Sequence, residues 1–471
     1  SHWAGLVSLM VALGLAIGVF GMPLYQAFSA AGLGIENGLV PIVVIIVAAV
    51  WLHRLMQATG REKDLREVFA AVGNGDVRIQ ALLIALCFGG LLEGLSGFGV
   101  PVAIVTALLL GLGLVMVYSA SIALMEKRDP SGDASTFYLI RQSVAICVAL
   151  VAALFAYAVP PTRWQRLARP LFFGGVLLLI LVFVPGIGKR AGGAYRWVSL
   201  GVATVQPTEL MKLFVVLYVA DYAVRKQALM PHLWRAFVPM AMGLSLIGML
   251  IMRQPDLGAL IVILLVAMGV LFLGGMNPRL FFGMAAFLGF VFAAFILLVP
   301  FRRARFFSYL DPFARANAEG SSYQLTHSLM AIGKGEWLGS GLGAGVAKLN
   351  FLPEPHTDFL FATIGEELGM VGMLVVILMF FWVVRRCFEI GRQAIAFEEF
   401  FNGLVAQGIG LWIGLQVFIN LGVNLGLLPT KGLTLPFMSF GGTAILMNCV
   451  AMAIVLRIDV ENRRLMRGKM A

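Results

Sequence analysis

The sequence predicts an all-α, polytopic membrane protein. Sixty per cent of its 471 residues are hydrophobic and only 13% are charged, with a mean hydropathy of +0.93. Soluble domains carry about 25% charged residues. Apolar runs long enough to cross a bilayer as helices, which takes about 20 residues, recur along the whole chain. No run shows the alternation of a membrane barrel strand, so helix is the expected spanning structure.

The apolar runs fall into an N-terminal group of three and a following group of ten. They lie at 4–22, 38–56, 79–92, 99–124, 139–159, 171–185, 208–224, 236–252, 257–275, 280–300, 358–384, 403–428 and 435–456. The loops change character near Gly111–Gly113, which predicts two parts, 1–113 and 114–471. We expect a ten-helix bundle with one large loop, preceded by two to three further membrane segments. The glycine-rich stretch 79–98 is expected to be a re-entrant hairpin.

The short basic loops predict the orientation of the chain. Loops 160–170, 225–235 and 385–399 and the tail 457–471 are basic, and alternate crossings place them all on one side, expected to be cytoplasmic. The net charge of +11 is therefore attributed to membrane-flanking segments and not to nucleic-acid binding. The four cysteines have no spacing that indicates a metal site or disulfides. The first run lacks the features of a signal peptide.

The long loop, residues 301–357, is the strongest candidate for chemistry, because loops of this length are usually functional. It opens with a basic cluster suited to a pyrophosphate, formed by Arg302, Arg303 and Arg305. Contact with lipid headgroups is the alternative. Asp311 and Glu319 are the only acidic residues between Phe301 and Tyr323. Such a carboxylate accepts a hydroxyl proton or binds a divalent cation.

Other predicted turns lie on the same side of the membrane as the long loop, opposite the basic loops, and carry further polar residues. They include Arg196, the sequence Gln206-Pro-Thr-Glu209, Asp256 and Lys431. Ionisable groups at membrane depth are expensive and often functional. Glu209 and Lys212, three residues apart on a helix, are alternatively an internal ion pair that fixes helix packing.

From about Leu114 the chain resembles the SEDS family of peptidoglycan glycosyltransferases. The motifs that carry the resemblance occur in the family's order: Val115-Met-Val-Tyr-Ser-Ala-Ser121, Tyr195-Arg-Trp, Gln206-Pro-Thr-Glu, Gln254-Pro-Asp-Leu-Gly, Pro353-Glu-Pro-His-Thr-Asp-Phe and Gly365-Glu-Glu-Leu-Gly. The segment from Pro429 to Pro436, with its Lys431, resembles the division branch, FtsW, where the elongation branch, RodA, usually lacks the lysine. The resemblance extends over all ten spanning helices of the second part.

The resemblance implies that the protein polymerises lipid II into glycan strands at the division septum, on the outer face of the bacterial inner membrane. It implies undecaprenyl pyrophosphate as leaving group, a class B penicillin-binding transpeptidase and other divisome proteins as partners, and Mg²⁺ or Mn²⁺ as cofactor. The family's essential aspartate lies in the large outer loop just before the Gly-x-x-Tyr-Gln stretch. Many members have a second acidic residue after the Asp/Asn-Pro-aromatic triplet, whereas Ala314 and Arg315 follow it here. Asp311 is predicted to be the catalytic base or metal-linked carboxylate, with Glu319 as the alternative.

Residues expected to bind the substrate come from the long loop and the turns around it. They are Arg196, Gln206, Glu209, Lys212, Asp256, Arg302, Arg303, Arg305, Tyr323, Gln324, His356, Asp358, Glu366 and Lys431. Two other functions remain open at this stage. One is a carrier, or flippase, for lipid II, and the other is a non-catalytic scaffold of the division machinery.

Residues 1–113 resemble an internal piece of an L-lactate permease, above all in Glu93-Gly-Leu-Ser-Gly-Phe-Gly-Val-Pro-Val-Ala-Ile. Symporters need opposed repeats to alternate access, and only a fraction of one is present. We therefore expect a non-functional remnant of a lactate/proton symporter. The two families can meet at Leu108–Gly113, as in a recombined or mis-assembled gene.

Overall fold

The computed structural model describes most of the chain from residue 100 onward. The described residues are 100–126, 136–191, 194–199, 201, 204–227, 238–298, 303, 306–314, 320, 322–349, 351–466 and 468. All of them belong to one compact unit, Ser96–Ala471. The three N-terminal apolar runs and the expected re-entrant hairpin lie outside the described residues.

Helices dominate the described part of the chain, which confirms the predicted fold class. In chain order they are α1 Val100–Glu126, α2 Phe137–Ala158, α3 Pro161–Leu181, α4 Pro207–Arg225, α5 Val238–Arg253, α6 Leu257–Leu273, α7 Pro278–Leu297, α8 Tyr323–Gly335, α9 Leu360–Ala396, α10 Phe400–Asn424 and α11 Gly442–Met466. Each of the ten predicted runs after residue 98 falls on one of these helices. The remaining helix, α8, lies in the long loop.

Among the described residues, six helices are long and apolar enough to cross a membrane: α1, α2, α3, α9, α10 and α11. Helices α5, α6 and the first part of α7 are apolar but shorter. The interior of the bundle is built around α4, α6, α10 and α11, which are buried on most sides. Helix α9 packs along α10, α2 along α11, and α3 along α4. Some apolar side chains, such as Phe287 and Phe290 of α7, are exposed on the outside of the bundle, as expected for a surface that faces lipid.

The basic segments expected to be loops are largely helical, which corrects the sequence interpretation. Arg163, Arg166 and Arg169 lie inside α3, which begins at Pro161, a residue well suited to a first helical position. The predicted loop 385–399 is helical as far as Ala396, and the predicted tail is helical to Met466. Ion pairs one helical turn apart support these extensions, as between Arg385 and Glu389 at 2.7 Å.

A small antiparallel sheet occupies the predicted loop 186–207. Its strands are β1 Gly188–Ala191, β2 Ala194–Ser199 and β3 Thr204–Val205, in the order β1-β2-β3. Gly188 pairs with Val198, and Val198 pairs with Val205 on its other side. The sequence interpretation did not include this sheet. Its importance for the site is that it holds Arg196 against the turn between α5 and α6.

Candidate functional site

The first cluster of polar residues joins the sheet to the starts of α4 and α6. Arg196 donates from Nε to the carbonyl of Gln254 at 3.1 Å and from Nη2 to that of Pro255 at 2.8 Å. Asp256 caps α6, accepting from the amide of Ala259 at 3.2 Å. Its other oxygen accepts from Gln206 Nε2 at 3.3 Å. The predicted residues Arg196, Gln206 and Asp256 are therefore brought together.

A second cluster surrounds Asp358, just before α9. The Asp358 carbonyl accepts from the side-chain amides of Asn420 at 3.0 Å and Asn424 at 3.1 Å, both on α10. The Asp358 carboxylate lies against Gly432, where a Cβ atom would approach Oδ2 to 2.6 Å. Gly432 follows the predicted binding residue Lys431, which is half-buried. Glycine at 432 thus allows this carboxylate to lie directly against the backbone next to Lys431.

The environment of Asp358 favours its neutral form. Burial raises the pKa of its carboxyl to about 7, and the nearby carboxylates of Glu354 and Asp256 act in the same direction, while Arg196 opposes them. Burial also lowers the pKa of His356 below its usual value, against the opposing effect of Glu354. Around neutral pH, Asp358 therefore exchanges a proton while the His356 ring is uncharged.

Glu209 and Lys212 form the internal ion pair that the sequence left open as an alternative. Lys212 Nζ lies 2.7 Å from Glu209 Oε1, and both side chains are buried. The same ammonium donates to Gln416 Oε1 at 2.9 Å and lies 5.6 Å from the centre of the Trp412 ring. Trp412 donates to the same Gln416 oxygen at 2.9 Å. The pair links α4 to α10 inside the bundle.

The predicted catalytic residue Asp311 is exposed on a turn of the long loop. Two hydrogen bonds hold this turn to the start of α8: Ser322 Oγ donates to the Ser308 carbonyl at 2.8 Å, and Thr326 Oγ1 to the Pro312 carbonyl at 2.7 Å. Arg303 is exposed as well. The other predicted residues of this region, Arg302, Arg305 and the alternative base Glu319, lie outside the described residues.

Tyr323 and His356, two further predicted binding residues, have contacts within the chain. The Tyr323 ring lies 4.3 Å from the His327 ring, centre to centre, on α8, and Gln324 beside it is half-buried. His356 lies 4.6 Å from Tyr138 in the same measure, and its carbonyl accepts from the Phe440 amide at 2.9 Å. These contacts position the two segments without engaging the Gln324 side chain.

Glu366 binds backbone amides of the long loop. Its Oε1 accepts from the amides of Val346 at 2.8 Å and Ala347 at 3.1 Å. Glu366 is fully buried, and its carboxylate folds the glycine-rich end of the long loop onto α9. Its predicted role in substrate binding finds no support in these contacts.

Sequence reasoning did not single out Lys348 and Glu367. Lys348 Nζ and Glu367 Oε1 are 2.6 Å apart, and both side chains are buried. A signal was available, since Lys348 is the only Lys or Arg between Lys334 and Arg385. A cation that is isolated in an apolar stretch needs a buried partner.

The metal expectation remains a prediction. Across the described ranges, no group of three or more His, Cys, Asp and Glu side chains is placed to hold a metal ion. A divalent cation here would have to rest on fewer carboxylates, such as Asp311. That arrangement fits Mg²⁺, which usually takes one or two protein carboxylates together with substrate phosphates.

The chain is similar to several curated bacterial proteins named "Probable peptidoglycan glycosyltransferase FtsW". It is 54% identical to the one from Burkholderia thailandensis over 364 residues, which cover 77% of this chain and 79% of the relative. It is 52% identical to that of Aromatoleum aromaticum over 363 residues, covering 77% and 88% of the two chains.

Solved structures give the same picture. A chain from a study titled "Structural coordination of polymerization and crosslinking by a peptidoglycan synthase complex" matches with a TM-score of 0.63 at 28% identity, covering 78% of this chain and 99% of the other. The rod shape determining protein RodA of Thermus thermophilus matches with a TM-score of 0.55 at 28% identity, covering 77% and 96%.

Two family models match the chain, and they overlap. The L-lactate permease model matches residues 1–132 and the model of FtsW, RodA and SpoVE cell cycle proteins matches residues 101–464. The resemblance to a permease at the N-terminal end is thereby confirmed. The predicted boundary after residue 113 falls inside the overlap and stays a prediction. Because the second match covers more than three-quarters of the chain, this protein belongs to the family of cell cycle proteins that comprises FtsW, RodA and SpoVE.

Proposed function

We propose that this protein is a peptidoglycan glycosyltransferase that polymerises lipid II into glycan strands during division. One structural observation supports the assignment most strongly. A series of hydrogen bonds connects the Asp311 turn, through α8 and α10, to Asp358. Thr326 of α8 holds the Pro312 carbonyl, Ser328 of α8 donates to the Asn424 carbonyl at 2.9 Å, and Asn424 donates to the Asp358 carbonyl. The turn that carries the exposed Asp311 is thus connected to the cluster around Asp358.

The proposed reaction is a displacement at the anomeric carbon of a lipid-linked sugar. The 4-hydroxyl of the acceptor sugar attacks this carbon, a new glycosidic bond forms, and the bond to undecaprenyl pyrophosphate breaks. Asp311 accepts the proton of the attacking hydroxyl. Its exposure on a turn leaves the carboxylate accessible to a sugar.

Basic residues around the clusters would hold the pyrophosphate. Arg303, with Arg302 and Arg305, supplies positive charge from the long loop, and Lys431 supplies it beside Asp358. The carbonyls of Gln254 and Pro255 use two of the five N–H groups of Arg196 and fix its guanidinium plane. A fixed guanidinium binds phosphate oxygens with little further loss of entropy.

A divalent cation, Mg²⁺ or Mn²⁺, belongs to the proposal through Asp311. Bound there, the ion would neutralise charge on the departing pyrophosphate. The positive charges of Lys431 and the arginines also stabilise the departing pyrophosphate, with or without a bound cation.

A transpeptidase is the proposed partner, and the division septum of the bacterial inner membrane is the proposed site of action. The similar chain from the peptidoglycan synthase complex supports the partnership, since its study concerns polymerisation together with crosslinking. The spanning helices place the protein in a membrane. For the permease-like residues we propose no transport of lactate.

Reconstitution in liposomes with fluorescent lipid II and Mg²⁺ tests the proposal. Glycan strands resolved on a gel are expected for the unaltered protein. Movement of lipid II across the bilayer without strands would instead indicate a carrier. Neither strands nor movement, together with stimulation of a partner's crosslinking, would indicate a scaffold.

A further inference from the structure

A buried network links the long loop to the first helix of the bundle. Lys348 Nζ donates to Glu367 Oε1 at 2.6 Å, to Ser119 Oγ at 2.8 Å and to the Gly343 carbonyl at 2.8 Å. These are all three of its N–H donors. Ser119 Oγ donates in turn to Glu367 Oε1 at 2.7 Å. We call Ser119, Lys348 and Glu367 the Lys348 clamp.

The clamp joins three separate elements in a dry environment. Ser119 lies on α1, Lys348 in the long loop and Glu367 on α9, and each side chain is at most 5% exposed. The second oxygen of Glu367 accepts from the Gly343 amide at 3.0 Å. Hydrogen bonds to charged groups in a low dielectric are strong when every partner is satisfied. The clamp therefore fixes the loop at one point relative to α1.

Backbone bonds continue from the clamp toward the Asp311 turn. The amide of Gly341 donates to the Glu367 carbonyl at 3.0 Å, and that of Ser340 to the Glu366 carbonyl at 2.9 Å. Gly339 donates to the Gly335 carbonyl at 2.7 Å, at the end of α8. The start of α8 holds the Asp311 turn through Ser322 and Thr326. The two ends of the loop are thus connected through one rigid helix.

We infer that the Lys348 clamp positions the catalytic loop: by fastening the loop to α1, it holds α8 and hence the Asp311 turn in place for glycosyl transfer. This inference rests on the proposed function. Ser119, Lys348 and Glu367 act through Asp311 and are positioning residues. Release of the clamp misplaces the base without removing a substrate contact, so it lowers kcat and leaves KM nearly unchanged.

Ser119 lies in the part of α1 that both family models match. Both family models match residues 101–132, which include Ser119. The loop is therefore fastened to the helix in which the two resemblances meet. An α1 that fails to insert correctly would leave Lys348 and Glu367 without their third partner.

Replacing Ser119 by alanine is the sharpest test, because it removes the hydrogen bonds of α1 to Lys348 and Glu367 while leaving the Lys348–Glu367 pair intact. We expect kcat for lipid II polymerisation to fall about tenfold with KM within about twofold of the unaltered value. The matched control is Ser121→Ala, since Ser121 is also buried on α1 but donates to the Tyr118 carbonyl of its own helix. It is expected to keep the unaltered kcat.

Cleavage by chymotrypsin after Leu342 gives a readout that is independent of catalysis. Leu342 is exposed and lies between the fastening points Gly341 and Gly343. Mass spectrometry should show this bond cut several times faster in Ser119→Ala than in Ser121→Ala. If either kcat or the cleavage rate of Ser119→Ala equals that of Ser121→Ala, the positioning role is refuted.

A second variant covers the case in which Ser119→Ala does not fold. Lys348→Met combined with Glu367→Gln removes both charges together, so neither is left buried without a partner. Lys334→Met is its control, because Lys334 is a half-exposed lysine of the loop whose ion pair with Glu366, at 3.7 Å, is too long for a hydrogen bond. We expect a loss of kcat of about 10- to 100-fold in the double variant only. If the unaltered protein makes no glycan strands, the proposed function fails, and the cleavage rates alone then decide whether the clamp fastens the loop.

Discussion

Asp358 carries the clearest consequence at the scale of single residues. Its carboxylate lies against Gly432, close enough to Glu354 and Asp256 for both to disfavour its ionisation. A carboxyl with a pKa of about 7 binds a proton that the unfolded chain, with an ordinary value of 3.8, has already released. The folded state is therefore relatively most stable below about pH 4, and this contribution is lost as the pH rises through 7.

Asp358→Asn is expected to abolish that dependence. The amide keeps the shape of the side chain but cannot ionise, so the variant should gain stability over the unaltered protein between pH 5 and 8. Since a shift of one unit in pKa corresponds to about 1.4 kcal/mol, the gain at pH 8 is at most about 4 kcal/mol and smaller where water reaches the group. Thermal unfolding in detergent across this pH range measures it. A constant difference between the two proteins at all pH values would contradict the assigned protonation.

At the scale of elements, the kink in α9 explains one of the sequence motifs. Gly369, with φ +69° and ψ −168°, interrupts the helix in a conformation that is nearly restricted to glycine. A Cβ atom there would approach the Gly339 amide nitrogen to 2.4 Å and the Trp337 carbonyl oxygen to 2.5 Å. Gly369, the last residue of Gly365-Glu-Glu-Leu-Gly369, thus permits close contact between the backbones of α9 and the long loop.

Gly369→Ala should destabilise the protein by at least about 2–3 kcal/mol, from backbone strain together with the clash against the long loop. Gly289→Ala is the matched control, because Gly289 lies within α7 and a Cβ there meets nothing within 4 Å. The control should be neutral or stabilise by up to about 1 kcal/mol. Unfolding temperatures of the two purified variants decide the matter, and equal values would refute the proposed contact.

At the scale of the whole molecule, α1 is the helix on which the two family resemblances meet. Its buried side chains recur at helical spacing along its length, as Val102, Leu109, Met116 and Ala120 show. This face is continuous through Gly111–Gly113, where the sequence changes character. The residues before that point therefore complete the first helix of the bundle.

Substitutions at two glycines of α1 test whether this helix packs against the segment around Met438. A Cβ atom on Gly113 would approach the Met438 Cα to 2.5 Å, whereas one on Gly111 meets nothing within 4 Å. Gly113→Ala should destabilise the protein by about 1–3 kcal/mol and reduce lipid II polymerisation, and Gly111→Ala should do neither. The same assays on both variants measure this. A tolerated alanine at 113 would show that α1 does not pack on the Met438 segment.

The sequence was sufficient to predict the spanning helices, because hydropathy alone marks segments such as 403–428. It also predicted that Gln206 and Asp256 belong to one region. It was insufficient for the sheet at 188–205, whose strands are short and not alternating. It could not distinguish a binding role of Glu366 from a structural one, since that depends on amides brought close only by folding. The Lys348 clamp could not be predicted for the same reason, since Ser119 and Glu367 are 248 residues apart in the sequence.

The central claim is that Asp311 serves as the base of a lipid II polymerase. The most direct measurement is the rate of glycan strand formation by purified Asp311→Asn, compared with the unaltered protein in the same detergent, Mg²⁺ and lipid II. The account predicts a fall of about 10²–10⁴-fold, the usual cost of losing a general base. Strand formation at the unaltered rate would contradict it and would move the catalytic role to another carboxylate, with Glu319 the first to examine.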